Sequence, residues 1–318
     1  MKNRSLVLLS GEGSTIPAAE ARALFLAYDP ESRFEESGPR ALVVTSSADP
    51  FRIGRRIAFA RRVGLLLQDR AEAEPLLKGR RIRFRAYGTA LEEAPVDPEE
   101  YLTEFEASID LVSPEYELTL FRGKEDLLAV TSPLTMKQQW SLRRPRSRAF
   151  FHPSAIFPKL SRALVNLSRC KEGEVFLDPF AGTGSLPIEA FLIGARVTAV
   201  DLSEQMARGA LSNMKHFGQE WLGVVRADAN RIPVTRADAA ATDIPYGRAS
   251  STRGRTPSDI LSLLLGSLAE IMRPPSIAVI MHPQSVEVEA HSDFLLVEEH
   301  HLHVHKLLTR TISVLRRR

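Results

Sequence analysis

The 318-residue chain, 44% hydrophobic and 25% charged with a net charge of +3, has a globular protein's composition and room for two or three domains. It holds no apolar run near the ~18 residues of a membrane span, and its first ten residues lack a secretory signal's layout. Its lone cysteine, Cys170, excludes an internal disulfide and a cysteine-built zinc site, so a cytoplasmic protein without metal or membrane contact is expected.

From the start of the chain, Ser5–Leu9 and Arg40–Thr45 read as strands flanking a helix from Ala18 to Tyr28. Phe51 to Gln68 has apolar residues at helical spacing with arginines between them. From Arg52 to Arg85 the chain has eleven Lys or Arg against Asp69, Glu72 and Glu74, a local charge of +8 that leaves −5 for the remainder. Arginine gathered in this way suits phosphate contacts, which supply most nucleic-acid affinity. Arg55, Arg56, Arg61, Arg62, Arg81 and Arg83 are therefore candidate RNA contacts, joined by Arg248 from a later cluster. The competing reading is a solvated helix face. Tyr116–Phe121 and Asp126–Thr131 read as a hairpin around Arg122–Glu125, and the basic, aperiodic stretch 133–149 reads as a linker.

Beyond the linker, short apolar runs alternate with helical patterns, as in a parallel sheet with crossover helices. Glu174–Asp178 is a first strand and Ser185–Ile193 its helix; Ala195–Val200 is a second strand ending at Asp201. Ser203 caps a helix reaching Lys215. Leu222–Arg226, Ala237–Ile244 and Ser276–Met281 are further strands, with a proline-opened helix from Pro257 to Met272 before the last. Leu295–Leu315 alternates like an antiparallel hairpin. The inferred architecture is a smaller α+β region before a doubly wound α/β domain at 150–318. His300, His301, His303 and His305 alternate along that final hairpin, which divides them between faces, so no metal site is expected.

The sharpest local signal is Asp178-Pro179-Phe180-Ala-Gly182-Thr183-Gly184-Ser, a glycine turn from a strand into a helix. Its glycines admit a close ligand, and Asp178 can accept a hydrogen bond from a positive amino group. An aspartate there would repel a pyrophosphate, and the spacing is not the dinucleotide fingerprint. Asp201 stands where a carboxylate clasps ribose hydroxyls. Asp228, followed by Ala229, stands after the third strand, where it could accept an adenine amino group. Three acids at successive strand ends describe an adenosyl pocket, hence S-adenosylmethionine as cofactor.

The fourth strand ends in Thr242-Asp243-Ile244-Pro245-Tyr246-Gly, which resembles the catalytic loop Asp/Asn-X-Pro-Tyr/Phe of amino-methyltransferases. An exocyclic amine is a poor nucleophile because the ring withdraws its lone pair. Asp243 and the Ile244 carbonyl can accept its two N–H bonds, Pro245 stiffens the turn, and Tyr246 offers a face to a flipped base. Guanine presents two adjacent donors that one carboxylate could accept together, so Asp243 favours guanine over adenine.

With Leu9-Ser-Gly-Glu, Arg61-Arg-Val-Gly64, Ile109-Asp-Leu-Val-Ser-Pro114, Phe150-Phe-His-Pro153, Pro158-Lys-Leu160 and His305-Lys-Leu-Leu-Thr-Arg310, these motifs make the chain similar to the archaeal and eukaryotic tRNA (guanine(10)-N2)-methyltransferases. The resemblance covers nearly the whole chain. It implies a ferredoxin-like module at 1–50, a THUMP-like RNA-binding domain at 51–132, a linker at 133–149 and a Rossmann-like methyltransferase domain at 150–318. It also implies tRNA as substrate and, as a partner, the small zinc-containing activator protein that often accompanies this family. One departure is Ile244 where the family usually has a first proline. Two alternatives share the motifs: a guanine-N2 methyltransferase with another target, such as tRNA position 6 or ribosomal RNA, and a non-catalytic RNA-binding subunit with this fold.

Overall fold

The computed structural model of the protein describes residues 2–12, 15–103, 105–132, 140–218, 223–245, 254–288, 291–305 and 308–318. The chain divides into two compact units, Met1–Gly13 with Pro17–Gln138 and Ser14–Ile16 with Gln139–Arg318.

In the first unit the elements are β1 (Asn3–Leu9), α1 (Ile16–Tyr28), β2 (Arg33–Gly38), β3 (Ala41–Ser46), α2 (Pro50–Arg56), β4 (Ala60–Leu66), α3 (Glu74–Leu77), β5 (Arg81–Tyr87), α4 (Glu99–Leu102), β6 (Ser108–Ile109), β7 (Tyr116–Arg122) and β8 (Asp126–Thr131). They build one eight-stranded sheet, β2-β3-β1-β4-β8-β7-β5-β6, that runs through residues on both sides of position 50. Central strands buried on both faces read as continuous apolar runs. Val7 of β1 accordingly packs with Leu24, Phe25, Val44 and Ile53, while Leu6 and Leu8 pack with Val43, Tyr87 and Phe121.

The expected single helix over 51–68 is instead α2 followed by β4. Asp49 caps α2 by accepting from the Phe51 N–H, and the backbone turns extended at Ile57. β4 then enters the sheet between β1 and β8. A Cβ at Gly64 would lie 2.0 Å from the Val130 carbonyl oxygen, so this glycine permits the close strand pairing. Burial on both faces removes the alternation that would have marked the strand, and sheet pairing overrides local spacing. The hairpin of β7 and β8 lies where the alternation placed it.

The second unit contains α5 (Pro158–Leu167), β9 (Val175–Asp178), α6 (Ser185–Leu192), β10 (Arg196–Asp201), α7 (Glu204–His216), β11 (Gly223–Arg226), β12 (Ala237–Asp243), α8 (Pro257–Ile271), β13 (Met272–Pro283), β14 (Phe294–His305) and β15 (Leu308–Arg317). The sheet order is β11-β10-β9-β12-β13-β15-β14. Its first five strands run parallel, and β15 lies antiparallel between β13 and β14. This is the Rossmann-like α/β fold expected for this half. Strand order reverses between β9 and β12, and a crevice opens at such a switch point beyond the carboxyl ends of the strands. α8 packs Ile260, Leu264 and Leu268 with Leu177, Val200 and Ile280 of the sheet. Its start is fixed by a capping box, Thr256 and Asp259 bonding each other's backbone N–H. Among the described residues no helix is long and apolar enough to cross a membrane.

Candidate active site

A cavity of about 720 Å³ lies at the carboxyl ends of β9, β10, β11 and β12. Asp178, Pro179, Phe180, Gly182, Thr183, Asp201, Asp228, Ala229, Asp243, Ile244 and Pro245 all line it. Those expected site residues, distant in sequence, are thus brought together. Tyr246 and Arg248 lie outside the described residues.

Asp178 ends β9 and is buried. Its Oδ1 accepts from the Thr242 hydroxyl at 2.7 Å and from the Phe180 N–H at 3.2 Å. Burial pushes its carboxyl up to about 7, with Asp201 adding to the rise and the two hydrogen bonds opposing it. Asp201 binds the turn itself: Oδ2 accepts from the Gly182 N–H at 2.8 Å and Oδ1 from the Ser203 N–H at 2.8 Å. Burial raises its carboxyl as well, against those two bonds. Asp228 accepts from the Asn230 N–H at 3.1 Å and stands 3.5 Å from Arg255, another residue of the cavity wall.

The two glycines of the turn have different duties. Gly182 has φ +51° with open space where a Cβ would be, and it faces the cavity. Gly184 has φ +81°, does not line the cavity, and precedes α6, where a Cβ would meet Ala210 at 3.4 Å. What calls for glycine at this position is the left-handed backbone that opens α6.

Asp243 closes β12, and its Oδ1 accepts from Nη2 of Arg310 on β15. The Ile244 N–H donates to the Met281 carbonyl at 3.0 Å, so the tetrapeptide begins as a continuation of the sheet. On another wall, His152, Pro153, Ser154 and Ile156 line the cavity. This segment is fastened by groups that motif reading missed. The Asn213 side chain donates to the carbonyls of Phe150 and Thr183, both at 2.9 Å, and accepts from the Phe150 N–H at 2.7 Å. Arg148 donates to Ser185 Oγ at 2.6 Å and to the Ile156 carbonyl at 3.2 Å. Arg143 and Arg162 share the buried Glu189. The available signal was a polar residue on the buried side of α7, Asn213 among Ala207, Ala210 and Met214. Arg148, by contrast, falls in the basic stretch 133–149 that the sequence marks as a linker.

The arginines proposed for RNA are dispersed in the first unit. Arg55 and Arg81 are exposed. Arg56 is only 5% exposed and donates to the Tyr28 hydroxyl at 3.0 Å, so it is not presented to solvent as expected. Arg62 and Arg83 both bond the fully buried Glu117. Arg61 lies over the Tyr87 ring and donates to the Leu91 carbonyl at 2.7 Å. Much of the +8 run is therefore internal wiring.

This strand order, with an acid-lined cavity at the switch point, defines a Rossmann-like methyltransferase. The UPF0020 family, described as RMKL-like, methyltransferase domain, matches residues 145–310. The tRNA (guanine(10)-N2)-dimethyltransferase of Methanothermobacter thermautotrophicus is 31% identical over 280 residues, covering 78% of this chain and 80% of that one. The enzyme of that name from Methanocaldococcus jannaschii is 34% identical over 178 residues, 52% of this chain and 49% of its own. The chain belongs to the tRNA (guanine(10)-N2)-methyltransferase family. In fold it is similar to TrmN from Thermus thermophilus, with a TM-score of 0.53 at 19% identity, over 99% of this chain and 100% of that one.

Proposed function

We propose that the chain methylates the exocyclic N2 of a guanosine in tRNA, at position 10, with S-adenosylmethionine as methyl donor. One observation carries this reading: Asp243, Ile244 and Pro245 line the same cavity as the three-acid cradle.

The residues present fit the cofactor. Asp178 suits an ammonium group, Asp201 a ribose and Asp228 an adenine amine, each by accepting hydrogen bonds. S-adenosylmethionine bound there supplies an electrophilic methyl group. Asp243 and the Ile244 carbonyl accept the N–H bonds of the guanine amine, which localises its lone pair and aims it. His152, Pro153 and Ile156, in the segment held by Asn213 and Arg148, wall the cavity against water.

Residues 1–50 and 51–132 serve in this reading as ferredoxin-like and THUMP-like parts that grip tRNA phosphates, and the protein works in the cytoplasm. Exposed Arg55, Arg80 and Arg81 support the grip. Asp243→Ala tests the chemistry: turnover should vanish while cofactor affinity and folding persist, because the lost contacts act at the reacting amine. Activity within a few-fold of the parent would remove Asp243 from the mechanism.

A further inference from the structure

The pair between Arg310 and Asp243 reaches over an intervening strand. β12, β13 and β15 lie side by side, with Asp243 opposite Met281 and Arg310 opposite Pro283. Neighbouring strands are about 4.8 Å apart, so bridging two spacings takes one of the longest side chains. Arg310 is 3% exposed, whereas the Asp243 carboxylate is one-fifth exposed and borders the cavity. Burial lowers the guanidinium only to about 10, so it stays charged at neutral pH. A buried cation thus stands directly behind the acid assigned to the target amine.

We propose that Arg310 is a positioning residue that dictates which atom of residue 243 faces the amine, and so makes a carboxylate obligatory there. The inference rests on the amino-methyltransferase reading of the cavity. A guanidinium only donates hydrogen bonds. It holds Oδ1 of Asp243 and leaves Oδ2 to accept from the substrate. With Asn at 243, Arg310 would take the single amide oxygen and turn the NH2 group into the cavity, donor against donor. The choice of Asp over Asn in this tetrapeptide is then made by β15, not by the base. It also follows that Asp243 offers one oxygen to guanine, rather than clasping both of its adjacent donors.

The test is steady-state methylation of a tRNA transcript by the full chain, with calorimetry of cofactor binding alongside. Parent activity on guanosine is measured first, and its absence counts against the function rather than against Arg310. Asp243→Asn should lower kcat by about 100-fold, the scale of a mispositioned reacting group. Arg310→Met, long and apolar but without donors, should also lower kcat while leaving KM for tRNA and cofactor affinity unchanged. In the double variant the amide is released to turn its oxygen toward the substrate, so activity should rise about tenfold over Asp243→Asn alone. A double variant as slow as Asp243→Asn, or slower, overturns the proposal, because a merely structural arginine gives additive losses. Should Arg310→Met fail to fold, Asp243→Asn still decides, since kcat within a few-fold of the parent would show that an amide serves equally well.

Discussion

At the residue scale, Asp178 brings a pH dependence into the site. Its carboxyl, raised to about 7 by burial, is protonated below that pH in the free protein and must ionise to receive an ammonium group. Cofactor affinity should therefore fall about tenfold for each pH unit below 7, with a proton released on binding. Titration calorimetry in buffers of different ionisation enthalpy measures both, and an affinity flat between about pH 5.5 and pH 8 would contradict the assignment. Stability moves with the same proton. Between the ordinary value of 3.8 and about 7 the folded state holds a proton that the unfolded state has lost, so stability contributed by this group falls as pH rises through that window. Asp201 is tied to both Gly182 and Ser203, so Asp201→Ala should loosen the turn and weaken cofactor binding while tRNA affinity persists.

At the element scale, α7 positions the Phe150 segment through a bare spot in its surface. A Cβ at Gly209 would lie 2.1 Å from Cδ1 of Phe150. Alanine favours a helix over glycine by about 1 kcal/mol, but the main chain that carries the ring beneath it is held by two bonds between Phe150 and Asn213. The clash should win: Gly209→Ala should displace Phe150 and raise the Kd for cofactor, and an unchanged Kd would contradict that. In the first unit, Glu117 is the shared anion of Arg62 and Arg83. Glu117→Ala should destabilise by about 3–5 kcal/mol in urea unfolding, since it leaves two half-buried cations without their common partner. Reversing Arg62 to Glu would set two acids together and disturb the fold before it tested RNA binding. These contacts also mark where sequence reading stops. Periodicity located β9, α6, β10, α7, β12 and α8, because crossover units carry their own caps and turns. The acids of the cavity were legible for the same reason, each lying at a strand end. Partners set by sheet register were not: Arg310 meets Asp243 only once β13 and β15 are in place. β4 hid behind a helical spacing because both its faces are covered.

For the whole molecule, the proposal gives the tRNA grip to the first unit and the chemistry to the second. tRNA affinity should fall steeply with salt as bound counterions are released. Charge reversal at the exposed Arg55, Arg80 and Arg81 should weaken tRNA binding and leave cofactor affinity intact. A fragment should start at residue 139 rather than 150, because Arg143 and Arg148 belong to the second unit's interior. That fragment should bind cofactor yet methylate tRNA poorly; equal efficiency would show that the first unit does not choose the substrate. The most direct measurement is mass spectrometry of nuclease fragments, and of the nucleosides within them, from tRNA incubated with the protein and S-adenosylmethionine, read at position 10. N2-methylated guanosine is expected there with the parent and none with Asp243→Ala. A methyl group found on adenine, or no methylated nucleoside at all, would contradict the proposal.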